Sequence, residues 1–180
     1  MNAYDVVEII MSKYRENAIE RSWHPVKVRI DQDTTIGFAK KSDPSIKIQS
    51  GSIFFIDVGT VKNGLEGDIG RTFVFGENHQ AKNMINHCKQ VFENTVMAWK
   101  RDQLSGERLY DFAKKQAEGR GLELNLSMDG HRLGSFPHGV HFKGSLCDID
   151  FTPGPNLWIL EIQVAHPKLN IGAFYEDLIK

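Results

Sequence analysis

Four carboxylates occupy places where an ordinary surface role does not explain them. Asp57 closes the apolar run Ile53-Phe54-Phe55-Ile56-Asp57, and Glu161 sits inside Leu157-Trp158-Ile159-Leu160-Glu161-Ile162. Burying an isolated charge in such strands is costly unless a cation compensates it. Asp68 and Glu176 lie across a turn from Asp57 and Glu161 respectively, so two acidic hairpins are expected. Four carboxylates and one imidazole would be close to neutralised by two divalent ions with a bridging hydroxide, the composition of a hydrolytic dinuclear centre. His138, in Phe136-Pro137-His138-Gly139-Val140-His141-Phe142, is the first choice of nitrogen donor, and His141 is its competitor.

The first hairpin is readable in detail. Asn63-Gly64 is a strong turn signal between the two aspartates. Folding there brings them roughly 5–8 Å apart as cross-strand or diagonal neighbours. That suits two metals about 3.5–4 Å from one another. Without a metal, such proximity would raise the pKa of one carboxylate strongly. Read alone, each aspartate also suits a turn, with Gly67 and Gly70 as bends. The second acidic hairpin is what favours a site.

The elements that must position these residues follow from periodicity. Val6, Val7, Ile10, Met11 and Tyr14 give a helix over 3–20, and Pro25 precedes an alternating strand, Val26–Ile30. After the first hairpin, Met84, Ile85, Cys88, Val91, Phe92 and Met97 make a helix over 80–101. Ser105 suits the cap of a second helix, which carries Leu109, Phe112, Ala113 and Ala117 and ends at Gly119 and Gly121. A Gly- and His-rich stretch leads to the last strand pair, 157–165 and 172–179. Each half of the chain thus ends in an acidic hairpin, which suggests an approximate two-fold arrangement around a shared site.

The run Phe55-Ile56-Asp57-Val58-Gly59, then Gly64, then Gly67-Asp68-Ile69-Gly70-Arg71-Thr72-Phe73, resembles the hairpin of the methionine aminopeptidase, Xaa-Pro peptidase and creatinase superfamily. His138-Gly139, Ile159-Leu160-Glu161 and Gly172-Ala173-Phe174-Tyr175-Glu176-Asp177 resemble its remaining motifs, in order. The match runs from about residue 20 to the end. It implies an α+β pita-bread fold, a curved and mainly antiparallel sheet covered by helices, with pseudo-two-fold halves. Residues 1–180 would form a single catalytic domain of that kind.

Carried over, the resemblance implies that Asp57 chelates one metal, that Asp68 and Glu176 bridge both, and that His138 and Glu161 complete the first metal's shell. The cofactors would be two divalent ions, with manganese, cobalt, iron and zinc all compatible with oxygen-rich ligation and one imidazole. Glu161 would move the proton from nucleophile to leaving amine. Thr72 and Arg71 are candidates for orienting the ligands.

The pattern also departs from the family. The upstream histidine that normally stands near the substrate amide falls at Gly37-Phe38. The histidine that normally follows the His-Gly motif falls in Asp148-Ile149-Asp150-Phe151-Thr152-Pro153, with Asp150 the nearest counterpart. Phe174 replaces an arginine. His24, His141 and His166 are candidates to substitute in space, so the catalytic set is read as Glu161, His141 and Asp150.

The expected function is a dinuclear metal-dependent aminopeptidase-like hydrolase that cleaves the amide bond after an N-terminal residue, with Xaa-Pro-like or other specificity. The alternatives are a non-catalytic peptide- or protein-binding module of the same fold, and a hydrolase of a small non-peptide C–N bond. The expected partner is a peptide or small amide substrate. A net charge of −1 without a basic block argues against nucleic acid. No run approaches the roughly 18 apolar residues of a membrane span, and the opening residues lack a signal-peptide pattern, so a cytoplasmic location is expected. Cys88 and Cys147 read as packed thiols. Trp23, Trp99 and Phe174 would serve either the core or a homodimer contact.

Overall fold

The computed structural model describes residues 1–180, and its strands form one sheet. The central elements are two hairpins, β3 (Ile53–Lys62) with β4 (Leu65–Val74), and β7 (Trp158–Ala165) with β8 (Gly172–Leu178). They join through an antiparallel β4–β8 contact, Gly70 opposite Glu176 and Arg71 opposite Tyr175. Short strands complete the sheet: β1 (Arg21–Ser22) and β2 (Lys27–Ile30) pair with β3, while β5 (Glu123–Leu124) and β6 (His131–Arg132) pair with β7. This is the expected open, curved antiparallel sheet with its two halves meeting along β4 and β8.

Alternation along the strands separates a packing face from a chemical face. On β7, Trp158, Leu160, Ile162 and Val164 enter the main core with residues of helices α2 (His79–Asp102) and α3 (Gly106–Glu118). On β3, Phe54 and Ile56 pack toward helix α1 (Ala3–Glu16), against the cluster of Ala3, Val6, Val28 and Ile30. The opposite face carries Phe55, Asp57 and Gly59 on β3, Asp68 and Gly70 on β4, Glu161 and Gln163 on β7, and Phe174 and Glu176 on β8. One residue of slip in any strand would turn its carboxylate into the apolar layer.

The helix ends follow local chemistry. Asn2 and Asp5 cap α1 reciprocally, the Asn2 side chain accepting from Asp5 N and Asp5 accepting from Asn2 N. The helix stops at Glu16, earlier than its apolar pattern suggested, because the chain turns at Asn17 and Ala18, the latter with φ 52°. Ser105 caps α3 as expected, accepting from Arg108 N. Asn63 and Gly64 both have positive φ and close the β3–β4 turn. Trp99 and Phe174 are buried in the core rather than exposed. No helix is long and apolar enough to cross a membrane.

The junction of the two hairpins tolerates no bulk at Gly70. A Cβ there would lie 2.2 Å from Phe174 Cε1 and 2.9 Å from Glu176 Oε2. Gly70→Ala is expected to lower the unfolding free energy by about 1–3 kcal/mol, the usual effect of overpacking. Urea unfolding of the purified variant measures it, and an unchanged midpoint would show that Phe174 can yield without cost.

Candidate metal centre

The acidic residues converge on one cavity of about 300 Å³, lined by Trp23, Phe38, Met128 and three histidines as well as carboxylates. Asp57 lies opposite Gly70, and Asp68 opposite Gly59, so the aspartates are diagonal neighbours across the first hairpin. Glu161 and Glu176 are directly opposite one another across the second. The β4–β8 pairing then brings Asp68 and Glu176 together. All four carboxylates expected from the sequence are therefore in the cavity.

The imidazole between them is His131, not His138. His131 Nε2 is 2.9 Å from Asp68 Oδ2 and 3.8 Å from Glu161 Oε1. Its Nδ1 is 3.0 Å from the carbonyl of Arg132, which can only accept, so Nδ1 carries a proton and Nε2 faces the carboxylates. Gly130 makes this placement sterically feasible. Its φ is +65°, and a Cβ there would meet Ile159 O at 2.5 Å and the Tyr110 hydroxyl at 2.7 Å. Pairing of β6 with β7 then sets His131 opposite Ile159, one step from Glu161 on the same face.

His138 occupies the rim. It opens a short 3₁₀ turn, His138–Val140, and the Glu66 carboxylate takes both its backbone N–H, at 2.9 Å, and its Nδ1, at 3.1 Å. Its ring stacks on His131 with centroids 5.3 Å apart and meets Trp23 edge-on. The remaining nitrogen, Nε2, has no protein partner and belongs to a ring that lines the cavity. Glu66, fully buried at its side chain, escaped sequence reasoning because it sits in a hairpin as one more strand acid.

His24 completes the set. Its Nε2 lies 3.4 Å from Asp57 Oδ1 and 3.3 Å from Asp68 Oδ1. The ring sits beside Phe38, centroids 5.6 Å apart, at the place where the sequence pattern had only Gly37-Phe38. The expected shortage of histidines is thus corrected: His24, His131 and His138 all line the cavity. The signals were a histidine between Trp23 and Pro25, and the Gly130-His131 pair that precedes His138.

Two expected catalytic residues do not reach the cavity. His141 and Asp150 are exposed, and neither lines it. The turn at 138–140 carries His141 outward, and Asp150 belongs to the connection beyond Leu146–Asp148 that packs against α3. His166 accepts from Lys168 N and Leu169 N in the β7–β8 turn, which is a capping role away from the site. Arg71 lies on the reverse side of β4, pairing with Asp177 and covering the Tyr175 ring. Thr72 does support the site. Its hydroxyl donates to Phe174 O and accepts from Phe174 N, continuing the β4–β8 ladder just before Glu176.

The electrostatics show what this convergence demands. Burial pushes Asp57 up to about 7, partly opposed by His24. Burial likewise pushes Glu161 up to about 8, reinforced by Asp57 and Asp68, and drives Glu176 well above the carboxylate range. Burial opposes the charge on His131, yet its bond to Asp68 and the proximity of Glu161 carry it to about 9. Asp68 also resists ionisation through burial, but hydrogen bonds from His131 and His24 hold it below its ordinary value. Asp57 Oδ1 and Glu176 Oε2 are buried without a hydrogen-bond partner. Buried oxygens with no donor, grouped with imidazole nitrogens in the sets His24–Asp57–Asp68 and Asp68–His131–Glu176, fit divalent cations.

Comparison with known proteins agrees with this geometry. The model of metallopeptidase family M24 matches residues 1–179. The chain belongs to that family. No curated protein matched it by sequence. Among solved structures, this M24 chain is similar to a methionine aminopeptidase from Thermotoga maritima, with TM-score 0.74 and 15% identity over 98% of this chain and 80% of that one. It is also similar to the X-Pro aminopeptidase of Thermotoga maritima, with TM-score 0.77 and 17% identity over 98% of this chain and 49% of the other. A prolidase from Pyrococcus horikoshii gives TM-score 0.75 and 17% identity, over 99% and 50%. The M24 chain spans about half the length of the last two. These likenesses establish the pita-bread fold.

The shifted groups give the protein a distinctive pH response when divalent ions are chelated. Asp57, Glu161 and Glu176 have raised folded-state pKa values, so their folded forms hold protons that the unfolded chain releases near pH 4. Stability is therefore lost as pH rises from about 4 through about 7 to 8. His131 adds stability that is fully present below about 6.5 and disappears as pH climbs through about 9. Asp68 acts oppositely, only at acid pH. In chelator, Tm is expected to fall by on the order of 5 °C or more between pH 5.5 and 9. Saturating zinc or manganese should remove most of that fall. A flat Tm in chelator would contradict the electrostatic account.

Proposed function

We propose that this M24 chain is a dinuclear metal-dependent aminopeptidase-like hydrolase that cleaves the amide bond after an N-terminal residue. The observation that carries the reading is the convergence of Asp57, Asp68, Glu161 and Glu176 on one cavity, with two of their buried oxygens unpaired. Asp57, Asp68, His131, Glu161 and Glu176 would hold the ions, with His131 replacing His138 in the expected set. Divalent ions bound there supply Lewis acidity, polarising the scissile carbonyl and lowering the pKa of an attacking water.

The chain's own groups supply the proton transfers and the orientation. Glu161, whose burial favours the protonated form, is suited to accept the proton of the attacking water and deliver it to the departing amine. His138, held through Nδ1 by Glu66, offers Nε2 to the substrate amide or to the oxygen on which charge develops. The His131 Nδ1 bond to Arg132 O fixes the ring that stands against Asp68.

Substrate class follows from charge. The cavity is lined by five acidic residues, Asp129 included, and by no lysine or arginine. With two divalent ions balancing the four ligand carboxylates, Asp129 is the acid left to complement a free α-ammonium group, and no lysine or arginine is there to pair with the terminal carboxylate of a dipeptide. The cavity shares Phe38 and Ser127 with a groove of about 750 Å³, which gives the rest of a peptide a way out. An aminopeptidase reading is therefore preferred over a strict dipeptidase. Three histidines, His24, His131 and His138, line the cavity, which supports a catalytic reading over a non-catalytic binding module.

The test is metal analysis and peptide hydrolysis together. Protein loaded with manganese, cobalt or zinc is expected to bind about two ions per chain and to release the first residue of tri- and tetrapeptides faster than it cleaves dipeptides. Glu161→Gln should lower kcat by roughly 10²–10⁴-fold. Metal binding without release of an N-terminal residue from any peptide would refute the aminopeptidase reading, and failure to bind metal would refute the centre itself.

A further inference from the structure

His24 faces two carboxylates with a nitrogen that has no proton to give in the neutral ring. Its Nδ1 lies 2.9 Å from the carbonyl of Pro25, which can only accept, so the ring proton is on Nδ1 and the lone pair is on Nε2. That lone pair points at Asp57 Oδ1, 3.4 Å away, and Asp68 Oδ1, 3.3 Å away. Asp57 Oδ1 is buried and has no hydrogen-bond partner. With the ring neutral, three electron-rich atoms therefore face one another, and the positive charge they call for is either a metal ion or a second proton on the imidazole.

The separations favour a metal ion over a second ring proton. Charge-assisted N–H···O contacts typically close to about 2.7–2.9 Å. Two donors that each lie about 2.1 Å from one ion are instead roughly 3.0–3.4 Å apart. His24 Nε2, at 3.3 Å from Asp68 Oδ1 and 3.4 Å from Asp57 Oδ1, makes contacts longer than the first range and at the upper end of the second. Asp68 also divides its oxygens, Oδ1 toward His24 and Oδ2 toward His131. The fold makes room for this ring. A Cβ on Gly59 would lie 2.2 Å from His24 Cδ2 and 2.3 Å from Nε2, so the imidazole uses the space that the missing side chain leaves.

We infer that His24 is a sixth protein ligand of the metal centre, so that each ion receives one imidazole: His24 with Asp57 on one side of Asp68, and His131 with Glu176 on the other. This rests on the dinuclear reading of the cavity. It gives the centre two nitrogen donors where the family pattern described above supplies one, and it assigns His24 to the metal and not to the substrate.

Cobalt-loaded protein tests this without any activity measurement. Each ligating imidazole retains its Nδ1 proton, so proton NMR of the Co²⁺ protein should show two strongly shifted, solvent-exchangeable resonances. His24→Ala should remove one of them, weaken one of the two Co²⁺ affinities by ~100-fold in calorimetric titration, and change the visible cobalt band. Gly59→Ala, which keeps the imidazole but takes its space, should have the same effect. Circular dichroism establishes that each variant is folded, and the wild-type resonance count stands if neither is. A single shifted exchangeable resonance in wild type, or two unchanged affinities in folded His24→Ala, would overturn the assignment while leaving the dinuclear centre intact. Failure of wild type to bind Co²⁺ would overturn both.

Discussion

The constraint on which the structure depends is the burial of four carboxylates where two hairpins meet. Asp57, Asp68, Glu161 and Glu176 are withdrawn from water at their side chains, and in three of them burial raises the pKa far enough to disfavour the charged form. No lysine or arginine lines the cavity they share. A fold optimised only for stability would not place them so. Their arrangement makes sense as a cation site, and the surrounding elements serve to hold it.

Those elements act by register and by missing side chains. The β4–β8 junction fixes the distance between the halves, with the Thr72 hydroxyl bridging Phe174 and extending a short ladder. Gly59, Gly70 and Gly130 each stand where a Cβ would collide with a group of the site or with the strand that bears it. The cavity wall is tied down from behind. Gln163, on the strand of Glu161, donates to Thr34 O and Ile36 O, while Arg29 donates to the carbonyls of Gly37 and Phe38. These bonds hold the loop that places Phe38 beside His24.

Much of this was legible in the sequence. Asp57 and Glu161 announced themselves as charges inside apolar strands, Asn63-Gly64 fixed the first hairpin, and the two helices after it followed from their spacing. The histidines were harder to assign. His138 has a flanking glycine and the look of a motif, but Glu66, distant in sequence, claims its Nδ1 and backbone N–H. His131 and His24 come from two- to four-residue stretches beside short edge strands, where periodicity carries no signal. Their position depends on long-range pairing with β7 and on the space beside Gly59. His141 followed from its proximity to His138, and the turn between them carries it outward; Asp150 followed from the family pattern, and it lies exposed in the connection beyond Leu146–Asp148.

The central claim is that the acidic cavity is a dinuclear cation site. Crystals of the protein grown with manganese, with diffraction recorded on both sides of the manganese absorption edge, test it most directly. The account requires two anomalous peaks within the cavity, flanking Asp68 and enclosed by Asp57, Glu161 and Glu176, with His131 directed at one of them. A cavity without anomalous density at saturating manganese, or peaks only on surface carboxylates, would contradict it.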